Sequence, residues 1–159
     1  MTRRLQVQGV IVAVAILVAD FLTKMFFLDL MQRNPAGIEV TPFFNLVTVW
    51  NTGVSFGLFQ EDSSSRSWIL MAVSLVVMIW LLWWLWRAHS GLVAMALGMI
   101  IGGAVGNVID RYRFGAVFDF LDFHAFGRHW PAFNLADSAI VIGVLLLLAD
   151  GFRPQKTAD

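Results

Sequence analysis

The sequence predicts a membrane all-α protein: a four-helix transmembrane bundle with a small extracytoplasmic β-element. Three observations predict it. Hydrophobic residues make up 58% of the chain and charged residues only 14%, with a mean hydropathy of +0.73. A soluble domain of this size has too little interior to hide so much apolar surface, so lipid is the natural solvent. Four apolar runs approach the ~20 residues that a helix needs to cross a bilayer. One interval between them, residues 40–59, is instead rich in Val, Thr, Phe and Trp and punctuated by Pro42 and Gly53, which is strand chemistry.

The expected spans cover residues 7–28, 68–86, 92–109 and 132–148, within one membrane-embedded domain of residues 1–159. The first span follows Arg3 and Arg4 and so resembles a signal peptide, but it is too long for one and no small-residue cleavage site closes it. It is read as a retained span. The second ends in Trp80, Trp83, Trp84 and Trp86, a side chain that favours the membrane–water interface. With both termini inside, Arg3, Arg4, Arg87, Arg153 and Lys156 fall on short inner segments, and Arg33, Arg66, Arg111, Arg113 and Arg128 on the longer outer ones. The higher density on the short segments favours cytoplasmic termini. Residues 29–66 and 111–131 then form the outer segments, with a polar loop at Gln60 to Ser65. The formal net charge is zero, so nothing points to a nucleic-acid partner. The absence of cysteine removes disulfides, thiol nucleophiles and cysteine metal sites together.

Polar residues near the spans need a reason, because a charge at membrane depth is costly unless paired or hydrated. Asp20 and Lys24 lie four apart on one helix face and can pair, either as a structural ion pair or as part of a site. Gly98, Gly102 and Gly106 recur every four residues, a small-residue ladder that lets another helix approach closely. Asn107 follows the ladder, and Asp110 with Arg111 is read as the helix end, an interfacial pair that says little alone. The fourth span opens with Phe133-Asn134-Leu135-Ala136-Asp137-Ser138. Asn134 is a good N-cap and Asp137 sits at the third helical position, where a carboxylate reaches back to the cap. That reading needs no catalysis. Asp119, in Val117-Phe118-Asp119-Phe120, lies between large apolar residues that should raise its pKa.

If Asp119 and Asp137 approach each other, both cannot ionise easily and the pair shares a proton. One member can then take a proton from water while the other protonates a peptide carbonyl, which is peptide hydrolysis without a covalent intermediate. Asp122 competes with Asp119 for the first role. Other chemistries fit less well. His89, His124 and His129 lack metal-ligand spacing, no H-E-x-x-H or G-x-S-x-G occurs, and Asp20 beside Lys24 opposes a neutral lysine base. A small transporter would also carry intramembrane carboxylates, but no internal repeat is evident. A purely structural membrane protein, with Asp137 only a cap, would keep its function as Asp137→Ser.

Five motifs in order resemble the bacterial lipoprotein signal peptidases, the type II signal peptidases. They are Asp20 with Lys24; Asn51-Thr52-Gly53-Val54-Ser55-Phe56; the run from Gly102 to Arg111; Val117-Phe118-Asp119-Phe120; and Phe133 to Ser138. The resemblance implies an aspartic endopeptidase of the inner membrane. It would cut lipid-modified prolipoproteins on the amino side of the diacylglyceryl-cysteine. It implies Asp119 and Asp137 as the catalytic pair, in preference to Asp122. Asn51, Gly53, Asn107, Arg111 and Asn134 would shape the substrate site, and Asp20, Lys24 and Asp110 would support it. No metal or cofactor is implied. The expected partners are the prolipoprotein substrate, membrane lipids and a globomycin-type cyclic peptide inhibitor, with the enzyme acting as a monomer. Val54, Ser55 and Phe118 depart from the usual motif residues and bear on fine specificity.

Overall fold

The computed structural model describes residues 2–53 and 63–152. Val54, Ser55 and Phe56, the 54–59 part of the expected β-element, Gln60 to Asp62 of the expected loop, and Arg153 and Lys156 lie outside the described residues. The described chain is mostly helical, with one small antiparallel sheet. Its helices are α1 (Thr2–Arg33), α2 (Ser63–Trp86), α3 (Gly91–Phe114) and α4 (Leu135–Gly151). Three helical stretches, Arg3–Arg33, Trp68–Trp86 and Gly91–Phe114, are long and apolar enough to cross a membrane. Helix α4 has 17 described residues, about 25 Å at the helical rise, somewhat short of a ~30 Å hydrocarbon core.

The helices depart from the expected spans at several ends, although α2 stops at the expected Trp86 and α4 starts after the expected cap Asn134. Helix α1 runs through Arg33, past the residue 28 at which the first span was expected to end, and Ser63 to Ser65 belong to α2 rather than to a loop. Helix α3 does not stop at Asp110 and Arg111. It continues to Phe114 and ends at Gly115, whose φ of 74° and N–H bond to the Arg111 carbonyl make a left-handed C-cap. Hydropathy marks where a helix is apolar, whereas its ends are set by caps, which here lie in the polar flanks.

Helix α3 is the centre of the bundle. Gly98, Gly102 and Gly106 face α1, and a Cβ on each would collide in turn with the Gly9 carbonyl, the Ala13 carbonyl and the Asp20 carboxylate. Gly103, a quarter-turn round, faces the Ala136 carbonyl of α4. The expected ladder therefore brings α1 close, and its last rung is where Asp20 enters. On the other side of α3, Leu81 and Leu85 of α2 pack with Val93, Leu97 and Ile100.

The sheet has the order β1 (Ile38–Thr41), β2 (Phe44–Asn51), β3 (Val117–Ala125), β4 (Arg128–His129). The β-element was expected between the first two spans, and β1 and β2 are there. The second outer segment, read only as short and aromatic, supplies the other two strands. Its alternation was hidden because β3 is covered on both faces along Val117 to Phe120. Phe118 and Phe120 pack with Met31 and Leu46, and Phe27 of α1 stacks on Phe120 with ring centroids 4.3 Å apart. A two-residue turn, Phe126-Gly127, joins β3 to β4 with both φ angles positive, 52° and 73°, as a type I′ turn requires. Backbone bonds between Leu121 and Phe133 in both directions then tie the start of α4 to β3, which closes the 18 positions separating Asp119 from Asp137.

Gly106→Ala is expected to push Asp20 from its place against α3, with an overpacking cost of about 1–3 kcal/mol. Thermal unfolding in detergent checks this; an unchanged midpoint would mean that the helices are not in this close register.

Candidate active site

Asp119 projects from β3 and is 1% exposed. Its two carboxylate oxygens accept from Asn51 Nδ2 at 3.0 Å and from Asn134 Nδ2 at 2.7 Å. Burial and, after it, the negative charge of Asp137 push its pKa up to about 6, against the pull of the two amide hydrogen bonds. Asp137 is the third residue of α4 and is half-buried. Its Oδ1 accepts from Asn107 Nδ2 at 2.8 Å and its Oδ2 from the Asn134 backbone N–H at 3.1 Å. With the Asn134 side chain accepting from the Asp137 N–H, the expected capping box is present.

Asn134 therefore touches both carboxylates. It caps α4 through its oxygen and holds Asp119 through its nitrogen, and it is fully buried. Asn51 orients the far side of Asp119. Its own oxygen accepts from the Gly53 N–H at 2.8 Å, a tight turn in which Gly53 has a φ of 90° that disfavours any side chain. A Cβ there would also strike Leu70 of α2.

Lys24 is 6% exposed and uses its three donors on three acceptors: Asp20 at 2.8 Å, Asp110 at 2.9 Å and Asn107 Oδ1 at 3.1 Å. Each acceptor does a second job. Asp20 Oδ1 accepts the Ala136 N–H at 3.0 Å, Asp110 Oδ2 accepts the Phe118 N–H at 3.2 Å, and Asn107 donates to Asp137. Ala136 and Phe118 are the chain neighbours of Asp137 and Asp119. Asp110 thus turns inward to Lys24 and is buried, not an interfacial partner of Arg111. Arg111 donates from Nη1 to the Asn107 carbonyl at 3.4 Å, and its positive charge is felt by Asp137, Asp119 and Asp110.

Asp122 lies elsewhere. An odd number of positions from Asp119, it faces the other side of β3. It accepts from Asn45 at 3.0 Å and contacts His129 Nδ1 at 2.9 Å. Burial opposes ionisation of Asp122, but these hydrogen bonds outweigh it and hold the carboxyl below its usual pKa. Among the described residues, no group of three or more His, Asp or Glu is arranged to hold a metal ion.

The ten residues singled out in the sequence are thus brought together around Asp119 and Asp137. Sequence reasoning missed the groove beside them. It has a volume of about 590 Å³ and passes from Asn51 and Asp137 along Trp130 and Phe133 to Val141 and Ile142 of α4. Val141 and Ile142 are exposed apolar side chains, so the groove opens onto an exposed apolar face of the helix. Exposed Val and Ile at one turn's spacing from Asp137 were the available signal. The threefold role of Lys24 was also missed, although an ammonium at membrane depth with a single carboxylate partner leaves two donors to place.

Helices apolar enough for a bilayer, a sheet over one end of the bundle, and two carboxylates, one buried and one half-buried, linked by an asparagine define a membrane protein with a dicarboxylate site. Comparison with known proteins narrows this. Residues 12–153 match the family model described as signal peptidase (SPase) II. The chain is 47% identical to a lipoprotein signal peptidase of Methylorubrum extorquens, covering 94% of this chain and 88% of that one. It is 46% identical to one of Nitrobacter hamburgensis, covering 94% of each. A bacterial membrane enzyme solved by the in meso method at 2.3 Å superposes with a TM-score of 0.73 at 27% identity, over 95% of this chain and 94% of that one. The chain belongs to the signal peptidase II family.

The raised pKa of Asp119 has a consequence for stability. Between the unfolded value of 3.8 and the folded value of about 6, the folded chain holds the extra proton, so stability falls as pH rises through that window. Asp119→Asn carries no such charge. Its melting temperature relative to the parent is expected to improve by several degrees from pH 4 to pH 8, read by thermal unfolding in buffered detergent. A constant difference would contradict the buried, raised carboxyl.

Proposed function

We propose that Asp119 and Asp137 are the acid–base pair of an aspartic endopeptidase, Asp119 holding the shared proton. As a signal peptidase II, the chain removes the signal peptide from prolipoproteins. The observation that carries the aspartic reading is the pair itself: two carboxylates hydrogen-bonded to one asparagine, one of them buried with a pKa of about 6. Asp137, which faces the groove, takes a proton from water as the water oxygen bonds to the scissile carbonyl carbon. Asp119 gives its proton to the carbonyl oxygen. The resulting diol collapses as Asp137 passes its proton to the leaving nitrogen and Asp119 recovers one from a diol hydroxyl, so the pair ends as it began. The Arg111 charge faces both carboxylates and limits their repulsion.

The bond cut is the one on the amino side of the diacylglyceryl-cysteine, and the groove along Val141 and Ile142 suits a substrate held in lipid by acyl chains. Asn51, Gly53, Asn107, Arg111 and Asn134 shape the site, with Asp20, Lys24 and Asp110 behind them. All four helices cross the inner membrane in this reading, α4 included, with cytoplasmic termini and the sheet on the outer face. A single copy suffices, and a globomycin-type cyclic peptide occupies the groove.

The capping box supports a second reading, in which Asp137 only caps α4. Substitutions separate the two. Asp119→Asn and Asp137→Asn are each expected to lower cleavage of a purified lipidated substrate by about a thousandfold or more, while Asp122→Asn retains most activity. Asp137→Gln keeps a capping-box residue at its position but supplies no base, so it too should be inactive; full activity would leave Asp137 a cap alone. In the parent enzyme, kcat/KM is expected to fall about tenfold per unit as pH rises beyond the Asp119 pKa, because the acid form is lost. A profile flat between pH 5 and pH 8 would remove Asp119 as the acid.

A further inference from the structure

We propose that the β3–β4 hairpin docks on anionic phospholipid headgroups, with Arg128 and His129 against the phosphate and Phe126 and Trp130 in the surrounding interface. The turn is the first observation. Its leading residue must take a positive φ, where asparagine or glycine sits without strain, yet it is Phe126, with a φ of 52° and a fully exposed ring. Its ring is fully exposed, so no packing against the described residues repays that strain.

Charge is the second. Arg128 and His129 form β4 directly beyond the turn, and among the described residues Arg128 makes no ion pair. His129 is braced from behind by Asp122 at 2.9 Å, while its side chain remains 57% exposed. Together with Phe43, His124 and Trp130 these residues line a shallow groove of about 490 Å³. A groove that carries the Arg128 guanidinium and is rimmed by aromatic rings suits a phosphate at the membrane surface, where aromatic side chains settle and basic ones meet anionic lipid.

Continuity with the lipid-facing surface selects the occupant. Trp130 lines both this groove and the one that runs along Val141 and Ile142 of α4. Trp130 thus joins the exposed apolar face of α4 to the hairpin, and the surface that α4 presents to acyl chains is adjoined by the one that presents Arg128 to their headgroups.

The test uses the intact protein in nanodiscs of phosphatidylcholine and in discs containing phosphatidylglycerol, with hydrogen–deuterium exchange read across residues 123–130. Exchange is expected to be about fivefold slower in the anionic discs, the size of one basic contact at a charged surface, and the slowing should vanish in Arg128→Gln. Phe126→Asn, which suits the turn better and so keeps the hairpin, should also lose most of it. Equal exchange in the two discs, or slowing that survives Arg128→Gln, overturns the proposal. Slowing reproduced by inorganic phosphate in phosphatidylcholine discs also overturns it, in favour of a free-anion site. The readout needs no catalysis, so it stands or falls apart from the roles of Asp119 and Asp137.

Discussion

The buried ammonium of Lys24 is the constraint on which the rest depends. Removing such a charge from water costs several kcal/mol unless every donor is satisfied with good geometry. Asp20, Asp110 and Asn107 satisfy all three. The acceptors come from two helices, so α1 and α3 must lie at close contact before the cation can be buried at all. The glycines of α3 allow that contact, and Gly106 leaves the space that the Asp20 carboxylate fills. Cation and ladder are therefore one feature: the ladder has no purpose at its last rung without Asp20, and Asp20 has no tolerable place without Lys24.

From this hub the order extends outward to the reacting groups. Asp20 holds the N–H of Ala136, one of the donors that a helix start leaves unsatisfied. Asp110 holds the N–H of Phe118 where β3 begins, and Asn107 reaches Asp137 directly. The two carboxylates sit on a strand and a helix that are distant in sequence, yet their backbones are anchored to the same cation through one intermediary each. This matters for chemistry, since a shared proton is useful only when the separation of the pair is held. Asp119 and Asp137 also differ in setting. One is closed off beneath the sheet, and the other faces a groove from which water and substrate can arrive. In the proposed mechanism that difference gives the members of the pair different tasks.

Helices, the glycine ladder and the cap at Asn134 were legible because each rests on local chemistry: a run of apolar residues, a four-residue spacing, an N-cap followed by a carboxylate. The site residues were legible mainly as ordered motifs. Bottom-up reading brought Asp119 and Asp137 into one hypothesis but left Asp122 as a rival, since three residues in a strand look alike until the register is known. The pairing of β2 with β3 separates the two in space, placing Asn51 at the Asp119 carboxylate and Asn45 at Asp122. Strand β3 escaped notice for a related reason. A strand buried on both faces has no alternation to read, and its partner lies some 70 positions away. Helix ends and long-range pairing are tertiary properties, and those are where the expectations needed correction.

Capping and catalysis compete as explanations of Asp137 only while the residue is considered alone. In the folded chain the cap is what joins the two carboxylates. Asn134 must be extended and buried at the start of α4 for its oxygen to receive the Asp137 N–H, and that posture aims its nitrogen at Asp119. The same box fixes Asp137, because its Oδ2 is tied to the Asn134 backbone while Asn107 holds Oδ1. An asparagine suits this position better than serine or threonine, equally able caps, because its amide carries acceptor and donor on separate atoms, so Oδ1 takes the helix N–H while Nδ2 reaches Asp119. A helix terminus is thereby turned into the bridge of a dicarboxylate site, and the residue that stabilises α4 also sets the distance over which the proposed pair would share a proton.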